Sequence, residues 1–339
     1  MAPKLETYYL GLPLTNPLVA AASPLTAKLS SLMLLEQAGA AAAVMMSLFQ
    51  EQIESDAEEF QRIRRLADLE PSASRGFVPG LDDYNCGPNS YLRHLEAAKR
   101  AVSIPIISSL NVSCAGPWVR FARLLEQSGA DALELNIYFV PTDPSESGAE
   151  IENRYVDIVA AVRAETSLPL AVKLLDCFSS LPHVAQRLIA AGASGLVLFN
   201  RPLQPDIDLQ TFEMKSTLTL SSAEELRARL RWLAILSRQV SISLAATGGA
   251  ESAEDAVKLL LAGADVVMLA SALIRHGPQH LAVMLERLSQ WLQERNFTSI
   301  DQLRGAVNSY HLQDAAVSER THYMRAITTT IDFLHERRC

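Results

Sequence analysis

The sequence predicts a single (β/α)8 barrel, the TIM-barrel fold, and three observations support this prediction. An amphipathic stretch that ends at glycine and leads into a short apolar run occurs four times, at 34–47, 124–136, 188–200 and 259–271. Four further apolar runs, most of them preceded by amphipathic stretches, bring the expected strands to eight; they lie at 17–22, 104–110, 168–174 and 240–246. The first run ends in Ala-Ala-Ser-Pro, without the Gly-rich turn of the alternative fold, an open doubly wound sheet.

The four repeated phrases predict helix-to-strand joints. Their glycines stand just past the expected helices, where a residue with positive φ ends a helix; they are Gly39, Gly129, Gly192 and Gly263. The run after each glycine is apolar throughout, as in a parallel strand that is buried on both faces. Helices and strands are therefore expected to alternate along the whole barrel.

The length of 339 residues is compatible with one domain, because barrels of this kind reach about 250 residues and more. We expect a single domain over 1–339, with a minimal barrel at about 14–296 and a C-terminal helical tail at 297–339. Two insertions, at 51–89 and 201–220, follow the second and sixth expected strands. They are expected to overhang the end of the barrel where active sites form.

The composition argues against nucleic acid or a membrane surface as the ligand and favours a small molecule bound in a pocket. The formal charge of −8 provides no positive field for nucleic acid or an anionic membrane surface. The absence of a signal sequence and of long apolar runs, with four cysteines and no CxxC pair, predicts a soluble cytoplasmic protein. His276 and His280 are separated by Pro278 and lack an accompanying carboxylate motif, so no metal site is expected.

Polar or small residues stand where each expected strand ends, and together they predict a binding site at the barrel mouth. They are Ser23, Ser47, Asn111, Asn136, Lys173, Asn200, Thr247-Gly248-Gly249 and Ala270-Ser271. A single Ser or Asn in such a place is usually only the point where a strand leaves the core. Several amides from separate strands, however, are suited to hydrogen-bond a flat heterocycle.

The glycine pair after the seventh strand is the strongest local signal. Barrels frequently bind phosphate with the loops after strands seven and eight, through backbone N–H groups and a helix N-terminus. Gly248 and Gly249 allow close approach of the backbone, and Ala270-Ser271 opens the segment after the eighth strand. These residues predict a phosphate site; an ordinary turn is the alternative.

Lys173 ends the apolar run Leu-Ala-Val-Lys, which would carry its ammonium into the mouth. There it could stabilise the anionic reduced ring of a flavin. It could instead form a Schiff base in an aldolase-like lyase, or be a solvated lysine of the barrel rim.

Six segments in order resemble the dihydroorotate dehydrogenase family of FMN barrels, and in particular its dihydroorotate dehydrogenase-like bacterial branch. They are Gly-Leu-Pro-Leu-Thr-Asn-Pro (11–17), Ser-Leu-Phe-Gln-Glu-Gln-Ile (47–53), Leu-Glu-Leu-Asn-Ile-Tyr (133–138), Ala-Val-Lys-Leu (171–174), Leu-Phe-Asn-Arg (198–201) and Ala-Ala-Thr-Gly-Gly (245–249). The resemblance covers almost the entire chain and is specific as an ordered set.

The resemblance implies an FMN cofactor and a hydride transfer to its N5 atom. It places the phosphate on Gly248, Gly249, Ala270 and Ser271 and the ring near Ala22, Ser23, Asn111, Asn136 and Lys173, and we add Ser47, Asn200 and Thr247 to the cofactor set. By the same resemblance Asn85, Asn136 and Asn200 hold the substrate ring or its carboxylate. A homodimer in pyrimidine biosynthesis, with a redox partner protein as a further possibility, is the corresponding expectation.

Two departures from the family pattern bear on the chemistry. Met46 stands where the family has a lysine, and 137–141 (Ile-Tyr-Phe-Val-Pro) lacks the cysteine or serine that serves as base. Tyr138 remains as a candidate base beside Lys173 and Asn136, although packing on the flavin is the simpler role for its ring. Loss of a base lowers a rate by ~10²- to 10⁴-fold, so a non-catalytic flavin-binding barrel is the other alternative.

Overall fold

The computed structural model of the chain describes residues 2–54, 87–217, 219–306 and 315–336. The strands in these ranges are β1 (Thr7–Tyr9), β2 (Leu12–Leu14), β3 (Leu18–Ala20), β4 (Ala43–Val44), β5 (Leu48–Phe49), β6 (Ile106–Val112), β7 (Ala132–Ile137), β8 (Leu170–Leu174), β9 (Gly195–Leu198), β10 (Gln204–Asp208), β11 (Glu213–Thr217), β12 (Ser243–Thr247) and β13 (Val266–Leu269).

The α-helices in the same ranges are α1 (Leu29–Gln37), α2 (Gln50–Glu54), α3 (Pro88–Ala101), α4 (Phe121–Gln127), α5 (Gly148–Glu165), α6 (Leu181–Ala190), α7 (Leu226–Leu236), α8 (Ala253–Leu261), α9 (Ser271–His276), α10 (His280–Glu294), α11 (Ile300–Leu303) and α12 (Ala315–Glu336). The last two form the C-terminal helical extension. Three short 3-10 turns precede α1, α4 and α7.

Eight parallel strands close into a barrel. The pairing runs β3, β4, β6, β7, β8, β9, β12 and β13, and β13 pairs with β3 again. The (β/α)8 prediction is therefore confirmed, and the doubly wound alternative is wrong. The four joint glycines have φ values of 98°, 90°, 110° and 112°, which end each helix as the sequence predicted.

The second strand and the two insertions differ in detail from the expectation. The strand predicted to reach Ser47 pairs only over Ala43–Val44, and Leu48–Phe49 then forms the separate β5. The insertion at 201–220 contains the antiparallel hairpin β10–β11, which the sequence analysis treated as a loop. Most of the insertion at 51–89 lies outside the described residues.

At the amino ends of the strands, called the lower end here, the barrel interior is apolar and is covered by the β1–β2 hairpin. Val44, Ile107, Ala171 and Val266 belong to its core, and Tyr9 from the β1–β2 hairpin packs into the same cluster. The hairpin is held by hydrogen bonds from the Leu10 N–H to Ser243 Oγ (2.9 Å) and from Thr7 Oγ1 to the Asp265 carbonyl (3.2 Å). Polar groups are concentrated toward the carboxyl ends of the strands, at the opposite end of the barrel.

Candidate functional site

A cavity of about 180 Å³ lies at the carboxyl ends of the strands. Most of the strand-end residues predicted from the sequence line it, namely Ala22, Ser23, Lys173, Asn200, Thr247, Gly248, Gly249, Ala270 and Ser271. Residues from five separate barrel strands or the loops after them thus meet in one place. The prediction that these strand ends converge agrees with this geometry.

The three remaining polar strand-end residues lie on the side of the mouth formed by β6, β7 and β8. In the strand register, Asn111 of β6 is paired with Asn136 of β7, and Asn136 is paired with Lys173 of β8. Asn111, Asn136 and Lys173 therefore form a row across these neighbouring strands. Ser47 lies beside this row, with its Oγ 2.8 Å from Ser109 Oγ. Asn85 lies outside the described residues.

The loop after β12 is held in place from behind by a buried arginine. Arg229, on α7, is 5% exposed, and its Nε donates to the Thr247 carbonyl at 3.0 Å. In a trans peptide the C=O and N–H point in opposite directions. The Gly248 N–H is therefore directed away from Arg229, and Gly248 lines the cavity. Gly248 and Gly249 have φ values of 87° and 88°, which side chains rarely tolerate.

Ser221 joins this loop to the start of α9, and the sequence analysis missed it. Its Oγ accepts from the Gly249 N–H at 3.1 Å, and its own N–H donates to Ser271 Oγ at 3.0 Å. Ser221 is 4% exposed. Each hydroxyl has accepted a backbone N–H and still has its own proton to donate. Ser221, Thr247–Gly249 and Ser271 are called the glycine end of the mouth below.

Two arginine side chains lie beside the glycine end. Arg201 and Arg229 both form ion pairs with Glu225, so two guanidinium groups share this carboxylate. Burial lowers the pKa of Arg229, and the charges of Glu225 and Asp176 oppose that effect. Guanidinium groups, together with hydroxyl and backbone N–H donors, are suited to an anion such as phosphate.

The opposite side of the mouth, called the lysine end and formed by Glu134, Asn136 and Lys173, is electrically balanced. Lys173 is 7% exposed, and its Nζ lies 3.5 Å from Oε1 of the fully buried Glu134. Glu134 Oε2 and Asn136 Oδ1 are buried and accept no hydrogen bond from the described residues. An unsatisfied buried acceptor costs about 1–3 kcal/mol, so Asn136 Oδ1, near the carboxyl end of β7, is suited to a ligand that brings an N–H donor.

Glu134 was not predicted as a site residue, although its position in the sequence indicates one. It is the one charged residue in the apolar run Leu-Glu-Leu-Asn, and strand alternation places it on the same face as Asn136. Its Oε1 lies 3.5 Å from Lys173 Nζ, so the lysine is engaged in a buried ion pair. The geometry therefore gives no support to the Schiff-base alternative.

Tyr138 and Phe139 continue from β7 into the loop above the lysine end. Tyr138 Oη accepts from the Leu203 N–H at 3.2 Å, which ties this loop to the start of the β10–β11 insertion. The Phe139 ring lies 5.5 Å from the Tyr155 ring, with the Arg154 guanidinium 4.5 Å above it. Phe139 and Tyr155 line a second cavity of about 420 Å³.

Comparison with known proteins identifies the family. Residues 4–292 match the family model described as dihydroorotate dehydrogenase. The chain belongs to the dihydroorotate dehydrogenase family. The dihydroorotate dehydrogenase B (NAD(+)) catalytic subunit of Endomicrobium trichonymphae is 24% identical over 322 residues, covering 91% of this chain and 98% of that relative. The protein of the same name from Bacillus cereus is 30% identical over 233 residues, covering 67% of this chain and 72% of its own length.

Family membership makes the chain an oxidoreductase of the dihydroorotate dehydrogenase type, in a branch of low identity to these relatives. It confirms the resemblance drawn from the six sequence segments. Among the helices that the structure describes, none is long and apolar enough to cross a membrane.

Proposed function

We propose that the protein binds FMN at the barrel mouth and catalyses hydride transfer from a small, dihydroorotate-like substrate to flavin N5. The phosphate binds at the glycine end, and the ring lies along the row of Asn111, Asn136 and Lys173. The remaining cofactor contacts come from Ala22, Ser23, Ser47, Asn200, Thr247 and Ala270. Asn85, Asn136 and Asn200 contact the substrate.

The observation that carries this proposal is the glycine end. Ser221 and Ser271 offer hydroxyl protons, Gly248 and Gly249 line the cavity, and two arginines share the Glu225 carboxylate beside it. The unsatisfied Asn136 Oδ1 lies across the mouth, among the groups expected to meet a ring. A ligand with a phosphate at one end and ring N–H groups at the other satisfies both sides.

Bound FMN supplies the hydride acceptor, and the protein supplies charge, orientation and exclusion of water. Lys173 stabilises negative charge on the ring, and Glu134 keeps its ammonium in place. Asn136 orients the ring through its amide. Tyr138 is the proposed proton acceptor; its hydrogen bond from Leu203 also holds the loop over Lys173.

The proposal is tested by titrating the purified protein with FMN and with riboflavin, which differ only in the phosphate. We expect a yellow protein that absorbs near ~450 nm and binds FMN at least ~100-fold more tightly than riboflavin. A colourless protein whose melting temperature FMN does not raise contradicts the proposal. Equal affinities for the two flavins contradict the phosphate site.

The proposal extends to the working state of the protein: a cytoplasmic homodimer, acting in pyrimidine biosynthesis, that passes electrons to a separate redox protein. The relatives named as catalytic subunits favour such a partner. Light scattering of the purified protein tests the dimer. Anaerobic reoxidation of the reduced protein by candidate acceptors tests the partner.

A further inference from the structure

The C-terminal helix α12 (Ala315–Glu336) follows residues 4–292, the part of the chain that matches the family model. An ion pair attaches it to the outside of the barrel, with Arg231 Nε of α7 lying 3.3 Å from Glu319 Oε2. The side chains from 320 to 329 are all exposed. Most of the described surface of α12 is therefore accessible to another molecule.

The sequence of α12 gives the helix little stability of its own. Thr321, Thr328 and Thr329 belong to a residue type with low helix propensity. Their hydroxyls donate to the carbonyls four residues earlier, at 2.8 to 3.0 Å, a bond that slightly weakens a helix. Most helices in proteins are stabilised by the packing of an apolar face. We therefore expect α12 to pack against a further surface.

The apolar side chains of α12 form a stripe on a face that differs from the one on α7. Tyr323, Met324 and Ile327 are 67%, 62% and 42% exposed. Spacings of three and four residues place them together on the helix surface. At about 100° per residue, Met324 and Ile327 lie roughly 140° and 80° around the helix axis from Glu319, in the same direction. The helix thus presents apolar side chains beside its contact with the barrel.

The spacing within this stripe is typical of a helix that pairs with another helix. Ile331 and Leu334 follow Met324 and Ile327 by seven residues in the sequence, and these four positions are called the seam below. A seven-residue apolar repeat indicates helices that wrap around each other. A seam this short buries less than the about 1,200 Å² of a stable interface. A weak, concentration-dependent association is the expected result.

The side chains around the seam favour a second copy of α12 in the antiparallel direction. Thr321, Tyr323 and Thr328 flank the seam and are uncharged, so two identical helices meet there without repulsion. Arg320 lies in line with the seam, seven residues before Ile327. In a parallel pair the two Arg320 side chains would repel each other. In an antiparallel pair each lies near the C-terminus of the other helix, whose dipole attracts a cation.

We propose that two copies of this chain associate through α12, as an antiparallel pair with its two-fold axis near Ile327. In such a symmetric contact the seam of one helix covers the seam of the other. The inference goes beyond the proposed function, because it assigns a contact surface outside the barrel and involves no flavin.

Cysteine cross-linking under mild oxidation tests the contact. In Ile327→Cys the two thiols lie beside the two-fold axis, where a disulfide forms readily. Thr329→Cys is the matched control, because Thr329 is also exposed and lies on the opposite side of the same helix. The parent chain sets the background from its own cysteines. We expect at least about fivefold more covalent dimer from Ile327→Cys than from Thr329→Cys. Equal yields, or none above the background, overturn the proposal.

Arg320→Cys tests the direction of the pair. In the antiparallel arrangement the two Arg320 positions are 14 residues apart along the axis, about 21 Å, which is too far for a disulfide. We expect no more covalent dimer from Arg320→Cys than from Thr329→Cys. A yield from Arg320→Cys above that from Ile327→Cys overturns the antiparallel pair.

Light scattering at rising protein concentration measures the association without a cross-link. Ile327→Glu places two like charges at the two-fold axis and should raise the dissociation constant at least ~10-fold, whereas Thr329→Glu should leave it unchanged. A parent chain without a concentration-dependent mass, or equal effects of the two variants, overturns the proposal. Circular dichroism and FMN uptake are recorded for each variant. A folded protein that pairs but takes up no FMN contradicts only the proposed function.

Discussion

The two ends of the barrel mouth differ in how the chain builds them. The glycine end is made from backbone groups and hydroxyls of three loops, tied together by Ser221. The lysine end is made from side chains on consecutive strands, held by the register of β6, β7 and β8. At the lysine end one cation meets one carboxylate, whereas beside the glycine end two guanidinium groups meet the carboxylate of Glu225. The glycine end is therefore suited to a fixed anionic group, and the lysine end to a flat ring.

The largest expected effect is on stability, from substitution of Lys173. Lys173→Met leaves the buried Glu134 carboxylate without its partner, which typically costs about 3–5 kcal/mol. Urea unfolding measures the loss. The double variant Lys173→Met/Glu134→Gln removes both charges and should recover most of it. A double variant as unstable as the single one would show that the ion pair is not the source of the loss.

The second-largest expected effect is that of Gly249→Ala, which should lower both stability and FMN affinity. A Cβ there would lie 2.9 Å from backbone atoms of both Leu226 and Ser222, at a φ of 88°. We expect a loss of about 2–3 kcal/mol in the free energy of unfolding and ~100-fold in FMN affinity. Gly277→Ala is the control, since its φ of 82° is similar and nothing lies within 4 Å. If Gly277→Ala lost as much stability and FMN affinity as Gly249→Ala, backbone strain alone would explain the effect.

Ser221→Ala should separate phosphate binding from ring binding. The variant leaves the buried Gly249 N–H without its acceptor and removes one hydroxyl donor, at about 1 kcal/mol of stability. FMN affinity is expected to fall about tenfold while riboflavin affinity stays the same. Ser241→Ala, at an exposed residue near the closed end of the barrel, serves as the control. A parallel fall in affinity for both flavins would assign Ser221 a purely structural role.

The smallest expected effect is the dependence of stability on pH that His280 causes. Burial lowers the pKa of His280, whose Nε2 lies 2.7 Å from the Glu251 carbonyl in the loop after Gly249. Between the lowered pKa and the ordinary value of 6.5, the unfolded chain binds more protons than the folded one. Stability is therefore present above pH 6.5 and declines as the pH falls below it. His280→Gln should flatten this decline in melting temperature between pH 7 and 5, and an unaltered slope would exclude His280 as its cause.

The parts of the fold that repeat were predictable from sequence. Glycine at four helix ends, with an apolar run after each, specifies four joints locally, and a total of eight alternating strands favours a closed barrel, which the structure shows. Strand-end residues such as Lys173 and Gly248 were predictable for the same reason, because the fold alone brings them to one face. The hairpin β10–β11 was not, since its strands show no clear alternation and lie on the surface.

The partners of the site residues could not be predicted from the sequence, because each contact joins residues that are far apart in the chain. Ser221 acts on Gly249 from 28 positions away, and Glu134 meets Lys173 across 39. Arg229 is part of an amphipathic helix whose other arginines are ordinary surface residues. Only the packed structure shows that its guanidinium supports the peptide between Thr247 and Gly248.

The hairpin that closes the lower end of the barrel has a kinetic consequence. Because Tyr9 and Leu10 fill that end, the described part of the interior opens in one direction only. Under the proposed function, with FMN at the mouth, reductant and oxidant reach the flavin ring by the same entrance and are expected to do so in turn. Steady-state rates measured against both reactants should then give parallel double-reciprocal lines, the pattern of a two-step exchange mechanism.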